Sequence, residues 1–218
     1  MSQFDLILKN GTVFLPTGRT VTNVGVKDGK ILQIGKCDIG AEIIDCANLF
    51  IFPGLMDTQC HFREPGGEHK ETIETGTKCA ALGGMVGIFE MPNTNPLTTN
   101  PEALEHKIQR GLDTAFTDFA YYFGGTFENS KNLPEWENLN GVCGIKIFMG
   151  ASTGNLLSAS DEEVEAVVAN GKRVIAVHAE DEYLMNENKT TILGDSNDVA
   201  MHCKWRDVNS SLNATKRV

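Results

Sequence analysis

The sequence contains no apolar run approaching the ~18 residues that a membrane-spanning helix needs, so no span is expected. Its start, MSQFDLILKNG, lacks the basic residues and apolar stretch of a secretory signal. No CxxC pair occurs among Cys37, Cys46, Cys60, Cys79, Cys143 and Cys203. Such scattered cysteines read as reduced thiols, packed mostly as small apolar groups in a cytoplasmic protein. Cations are scarce: 19 Lys and Arg stand against 29 Asp and Glu, a net charge of -10. That balance argues against nucleic acid or an anionic membrane as the main partner, because phosphate binding needs clustered Lys and Arg. What is present is ample for folding. With 41% apolar and 22% charged residues in 218, a packed core and one or two domains are expected.

Two regimes follow each other along the chain. Residues 1–50 read as a small β-sheet domain. Asn10-Gly11 and Asp28-Gly29, each between short apolar runs, both predict two-residue hairpins, since both turn positions need positive φ. Glu42–Asp45 offers another strand. From about residue 51 to 218, apolar runs alternate with helical patterns. Strands are predicted to start near 50, 85, 118, 144 and 173. Helices are predicted over 72–82 and 101–111, after a capping box at Ser160/Glu163, and over 198–216. The spacing of about 30 residues suits a (β/α)8 barrel, of which five units are present. An open doubly wound sheet of five strands fits the pattern as well.

Ionisable residues gather at the C-terminal ends of these strands, where a parallel barrel carries its active site. The first strand leads into Gln59-Cys60-His61-Phe62-Arg63, the second into Met91-Pro92-Asn93, and the fifth ends at His178. Lys146 lies inside the apolar fourth strand, Ile145-Lys146-Ile147-Phe148, where an ammonium needs a partner or altered chemistry. Taken singly, each has a structural reading: a hydrogen-bonded His178, a snorkelling Lys146, an Arg63–Glu64 surface pair, a turn at Asn93. His69, His106 and His202 sit at loop or helix positions without converging partners and read as structural.

Together, FPGLMDTQCHFREPGGEHKETIETGTKCAALGG, MPNTNP, GIKIFMGASTGN and VHAED, in that order, closely resemble dihydroorotases of the amidohydrolase superfamily. The resemblance runs through nearly the whole chain, and HFREPG separates it from hydantoinases and allantoinases. It implies an α/β fold, an amidohydrolase-type TIM barrel that is incomplete here. It also implies zinc, one or two ions, held by His61, His178 and a carboxylated Lys146. Arg63 and Asn93 would hold the substrate carboxylate. The implied reaction interconverts N-carbamoyl-L-aspartate and L-dihydroorotate in pyrimidine synthesis. The implied partners are a small-molecule substrate, a second copy of the chain in a homodimer, and in some settings an aspartate carbamoyltransferase.

The chain departs from the family pattern twice. Gln59 stands where the first His of a His-x-His ligand pair is expected, and an amide oxygen is a weaker zinc ligand than imidazole. Cys60, between Gln59 and His61, points to the other face by strand alternation. The sixth-strand His and the general-base Asp are expected beyond residue 218, so no residue here is assigned as general base. The chain reads as part of a longer polypeptide and is expected to be inactive alone. Two other readings stay open: another amidohydrolase acting on hydantoins, dihydropyrimidines or allantoin, and a non-catalytic dihydroorotase-like structural partner.

Overall fold

In the computed structural model, which describes residues 3–151 and 155–218, the first apolar residues form one long strand. Ser152–Gly154 of the GIKIFMGASTGN motif lie outside the described residues. Strand β1 (Phe4–Leu15) runs straight through Asn10-Gly11. The expected hairpin there is instead a bulge: register with β2 (Gly18–Lys27) slips between Leu8 and Gly11, and Asn10 has φ +63°. A bulge and a tight turn both need positive φ, so the Asn-Gly signal marked the backbone state but not its consequence. Asn10 is fixed by an N–H bond to Asn23 Oδ1 (2.9 Å) and by Nδ2 to Asp45 Oδ1 (3.1 Å). Asp28-Gly29 forms the expected turn, with φ +50° and +71°, between β2 and β3 (Lys30–Gly35).

Strands β4 (Gly40–Asp45) and β5 (Phe50–Ile51) pair with β1 in parallel. The run near residue 50 therefore belongs to this first sheet, and the expected first barrel strand begins later, at Leu55. The chain divides into two units, Met1–Leu55 and Met56–Val218, a few residues past the boundary expected at 50.

The second unit is built on a parallel sheet of β6 (Leu55–Cys60), β7 (Met85–Glu90), β8 (Asp118–Gly124), β9 (Val142–Phe148) and β10 (Ile175–His178). Their spatial order is their chain order. A doubly wound sheet reverses its order at a switch point, whereas a barrel adds each strand beside the last. The unbroken order excludes the doubly wound alternative.

Helices α1 (Ile73–Leu82), α2 (Pro101–Thr114), α3 (Leu133–Trp136) and α4 (Asp161–Asn170) fill the connections. Thr72, Asn100 and Ser160 cap the three longer ones, each accepting a bond from the first turn. Ser160 and Glu163 close the expected capping box. After β10 come α5 (Glu182–Asn188), α6 (His202–Trp205) and α7 (Val208–Arg217). The single helix expected over 198–216 is broken, because Arg206 leaves helical geometry and Asp207 caps α7 anew through Ser210 N–H (2.9 Å).

Strand alternation sorts the side chains of this sheet. Cys60, Phe62, Ile88, Tyr121, Phe123, Ile145 and Ile147 pack with Ile73, Leu104, Val164, Val167 and Ala214 of the helices. Each large side chain so buried contributes roughly 1.5–3 kcal/mol. The other face is left to Gln59, His61, Lys146, Phe148 and His178.

Gly76 of α1 sits directly against the Phe62 ring, leaving no room for a Cβ. Gly76→Ala should therefore destabilise the fold by about 1–3 kcal/mol, read by denaturant unfolding. Unchanged stability would mean the ring moves aside freely.

Candidate metal and substrate site

The segment after β6 carries most of the site, and two buried acids hold it. Glu64 accepts the Ile73 N–H at the start of α1 (2.7 Å) and pairs with Arg110 of α2 (2.6 Å). The alternative pairing of Glu64 with Arg63 is thereby pre-empted. Glu90, at the end of β7, accepts the Phe62 N–H and forms a buried ion pair with Lys107 of α2. Lys107 Nζ also donates to the Met91 carbonyl (2.8 Å). Burial pushes the Glu90 carboxyl up and the Lys107 ammonium down, while their mutual attraction opposes both shifts. One helix thus ties together the two strand ends that bear His61, Arg63 and Asn93. Lys107→Met would strand a buried carboxylate. It should cost about 3–5 kcal/mol in chemical denaturation; a loss below ~1 kcal/mol would show that the pair does not hold these ends.

His61 lies just past β6 with Nδ1 buried and without a hydrogen-bond partner. Desolvation, then the nearby Arg63 charge, lowers its pKa to about 4, against a hydrogen bond that the ring donates to the Asn93 side chain, which raises it; Lys146 and Lys107 also press it down. The ring is therefore neutral at pH 7 and keeps a free lone pair. Its folded pKa lies below the unfolded value of ~6.5. The unfolded chain takes up its proton first, so stability is unaffected above ~6.5 and is lost as pH falls toward about 4. In metal-free protein, NMR should show His61 titrating at about 4. His61→Asn should flatten that part of the stability curve. An ordinary titration near ~6.5 would contradict this environment.

Lys146 is 2% exposed. Its Nζ lies 5.0 Å from the centre of the Phe148 ring, and burial lowers its pKa. No carboxylate pairs with it among the described residues. His178 stands beside Phe148 in the β9–β10 register, with ring centroids 5.8 Å apart and planes at 30°. Phe148 thus links the lysine to the second histidine. His178 Nε2 also meets Glu180 Oε2 at 2.6 Å.

The structure brings Arg63, Asn93 and Lys146 each within electrostatic reach of His61, and Lys146 and His178 onto the Phe148 ring. Gln59 shares their face but is exposed, and its side chain bonds none of them among the described residues. Cys60 points into the core, as alternation required. Among the described residues, no three His, Cys, Asp or Glu side chains gather closely enough to hold a cation. The candidate donor set has two imidazoles. It gains a third strong ligand only if Lys146 becomes an anion. The orphaned His61 nitrogen and the unpaired lysine fit that requirement.

Arg63, at φ +63°, has Nη1 buried without a hydrogen-bond partner among the described residues. It lines a cleft of about 400 Å³ with His69, Lys70, Asn93, Thr94, Asn95 and others. Here sequence reasoning missed His69 and Lys70. Gly66, at φ +93°, turns the chain back against Asn95 and brings both into the cleft. The Gly66-Gly67 pair was the available signal. Asn93 is engaged with the His61 ring as well as lining this cleft.

A family profile described as dihydro-orotase-like matches residues 48–192. The chain is 35% identical over 193 residues to an allantoinase of Bacillus licheniformis, covering 81% of this chain and 42% of that protein. It is 40% identical over 149 residues to an allantoinase of Escherichia coli, covering 67% and 32%. In structure it is similar to an L-hydantoinase (dihydropyrimidinase) of Arthrobacter aurescens, with TM-score 0.89 and 29% identity over 99% of this chain and 49% of that one. The chain spans less than half the length of these relatives.

Proposed function

The chain belongs to the dihydro-orotase-like family, its second unit being part of an amidohydrolase (β/α)8 barrel, and on that footing we propose that the complete protein hydrolyses a cyclic amide. The named relatives, allantoinases and a hydantoinase, support that class and weigh for rings of their own kinds over dihydroorotate. One local observation weighs the other way. Arg63, with a buried guanidinium nitrogen that has no hydrogen-bond partner among the described residues, lines a cleft together with His69 and Lys70. A planar fork in that setting suits a carboxylate. Arg63 supports reading the ring as dihydroorotate and the product as N-carbamoyl-L-aspartate, or the reverse; allantoin or a hydantoin is the second reading, and the named relatives support it.

His61, His178 and Lys146, with Gln59 as a weak fourth, would hold zinc. Lys146 would reach that role by adding CO2: the ammonium first gives up a proton, the amine nitrogen then bonds the carbon, and a second proton leaves to give an anionic carbamate. Zinc, when bound, supplies Lewis acidity and a nucleophile at neutral pH. The protein's own part is to keep His61 neutral through burial and neighbouring cations. It would also anchor the ring's charged substituent on Arg63, with Asn93 lining the same cleft and bonded to the His61 ring.

A substrate panel on the complete protein tests the ring. Turnover of dihydroorotate, with Arg63→Ala raising KM roughly 10- to 100-fold and zinc content unchanged, is the expected result. Turnover of allantoin or hydantoin with none of dihydroorotate would establish the second reading. No ring opening by zinc-loaded protein would remove both.

A further inference from the structure

Three acids follow the last described strand, and each has a separate partner. Asp181 caps α5 through the Tyr183 and Leu184 N–H groups (3.0 and 3.1 Å). Glu182 accepts the Ala151 N–H (2.6 Å). Glu180 turns back to His178 Nε2 (2.6 Å). A carboxylate only accepts hydrogen bonds, so in the neutral ring the hydrogen lies on Nε2 and Nδ1 keeps the lone pair.

Glu180 is itself held. Arg206 Nη2 lies 3.4 Å from the same Oε2 and donates to the Ala151 carbonyl. The guanidinium lies over the Trp205 ring, 4.8 Å from its centre. Backbone packing adds a second restraint, since Gly150 lies against the Glu180 carbonyl and Cβ with no room for a side chain. Arg206 comes from the break between α6 and α7, the irregular point that Asp207 recaps. The break therefore delivers a cation to the loops that follow β9 and β10.

We propose that Glu180 and Arg206 are positioning residues for His178, with Glu180 fixing its Nε2–H tautomer and Arg206 fixing Glu180, so that Nδ1 is the nitrogen offered to a cation. The inference rests on reading His178 as a metal ligand. Carboxylates behind metal-binding imidazoles set the tautomer and ring orientation in this way, and removing one typically costs 10- to 100-fold in metal affinity.

The complete protein, labelled with ring-15N histidine and freed of metal, gives the first readout, with His178→Asn assigning the signal. Well above the ordinary imidazole pKa of ~6.5, wild-type His178 should be the Nε2–H tautomer. Glu180→Ala should give a mixture of tautomers. Glu180→Gln, which keeps an oxygen acceptor, should restore the wild-type spectrum, and Arg206→Ala should fall between. Titration with zinc chloride against a chromophoric chelator gives the second readout: about 10- to 100-fold weaker binding for Glu180→Ala and less for Glu180→Gln. An Nδ1–H tautomer in the wild type would overturn the proposal. So would an unchanged spectrum in Glu180→Ala. If Glu180→Ala fails to fold, Glu180→Gln and Arg206→Ala decide: an acceptor-retaining Gln that loses the tautomer, or an Arg206→Ala that leaves everything unchanged, counts against it. The tautomer is read without metal or substrate. A protein that opens no cyclic amide yet shows this pattern would sink the proposed function and leave the positioning pair standing.

Discussion

A cation buried in an apolar strand, with no anion beside it among the described residues, governs this molecule. Lys146 is buried, rests against Phe148 and has no carboxylate to neutralise it among the described residues. Desolvation alone opposes its charge. Such a group is costly unless it changes its chemistry or gains a partner. The surrounding side chains suit a change. His61 is neutral with an unused nitrogen, and His178 flanks the same ring. Turned into an anion, Lys146 would convert a site that repels cations into one that binds them.

The parallel sheet makes this meeting possible, and α2 makes it accurate. Consecutive strands lie side by side, so residues far apart in sequence share one edge. Strand ends alone do not fix loops. The Glu90–Lys107 and Glu64–Arg110 pairs anchor the segments bearing His61, Arg63 and Asn93 to one helix. Glu64 is engaged by Arg110 and α1 and forms no ion pair with Arg63 among the described residues. Structural and functional charges are kept apart by giving each acid its own cation.

Much of this was legible in the sequence, for physical reasons. A lysine inside Ile-Lys-Ile-Phe violates the apolar pattern of a buried strand and so declares itself. Period-two alternation put Cys60 in the core and Gln59 with His61 on the other face, and both placements hold. The Ser160/Glu163 box is local chemistry, readable within four residues. What was illegible depends on contacts across the chain. Asn10-Gly11 demands positive φ, yet only pairing with β2 decides between turn and bulge. His69 and Lys70 enter the cleft because Gly66 reverses the chain. The break at Arg206 follows from Asp207 capping a new helix, which competes with helical periodicity over the same residues. The expected ring was read from Arg63, while the named relatives point to other rings.

The most direct test is to bring the metal-stripped complete protein together with zinc and 13C-labelled bicarbonate, and to measure bound zinc and the 13C spectrum. If Lys146 becomes the anionic ligand, a carbamate signal appears, zinc uptake depends on bicarbonate, and Lys146→Ala abolishes both. Tight zinc binding with no carbamate signal, or with Lys146→Ala indistinguishable from wild type, would contradict it.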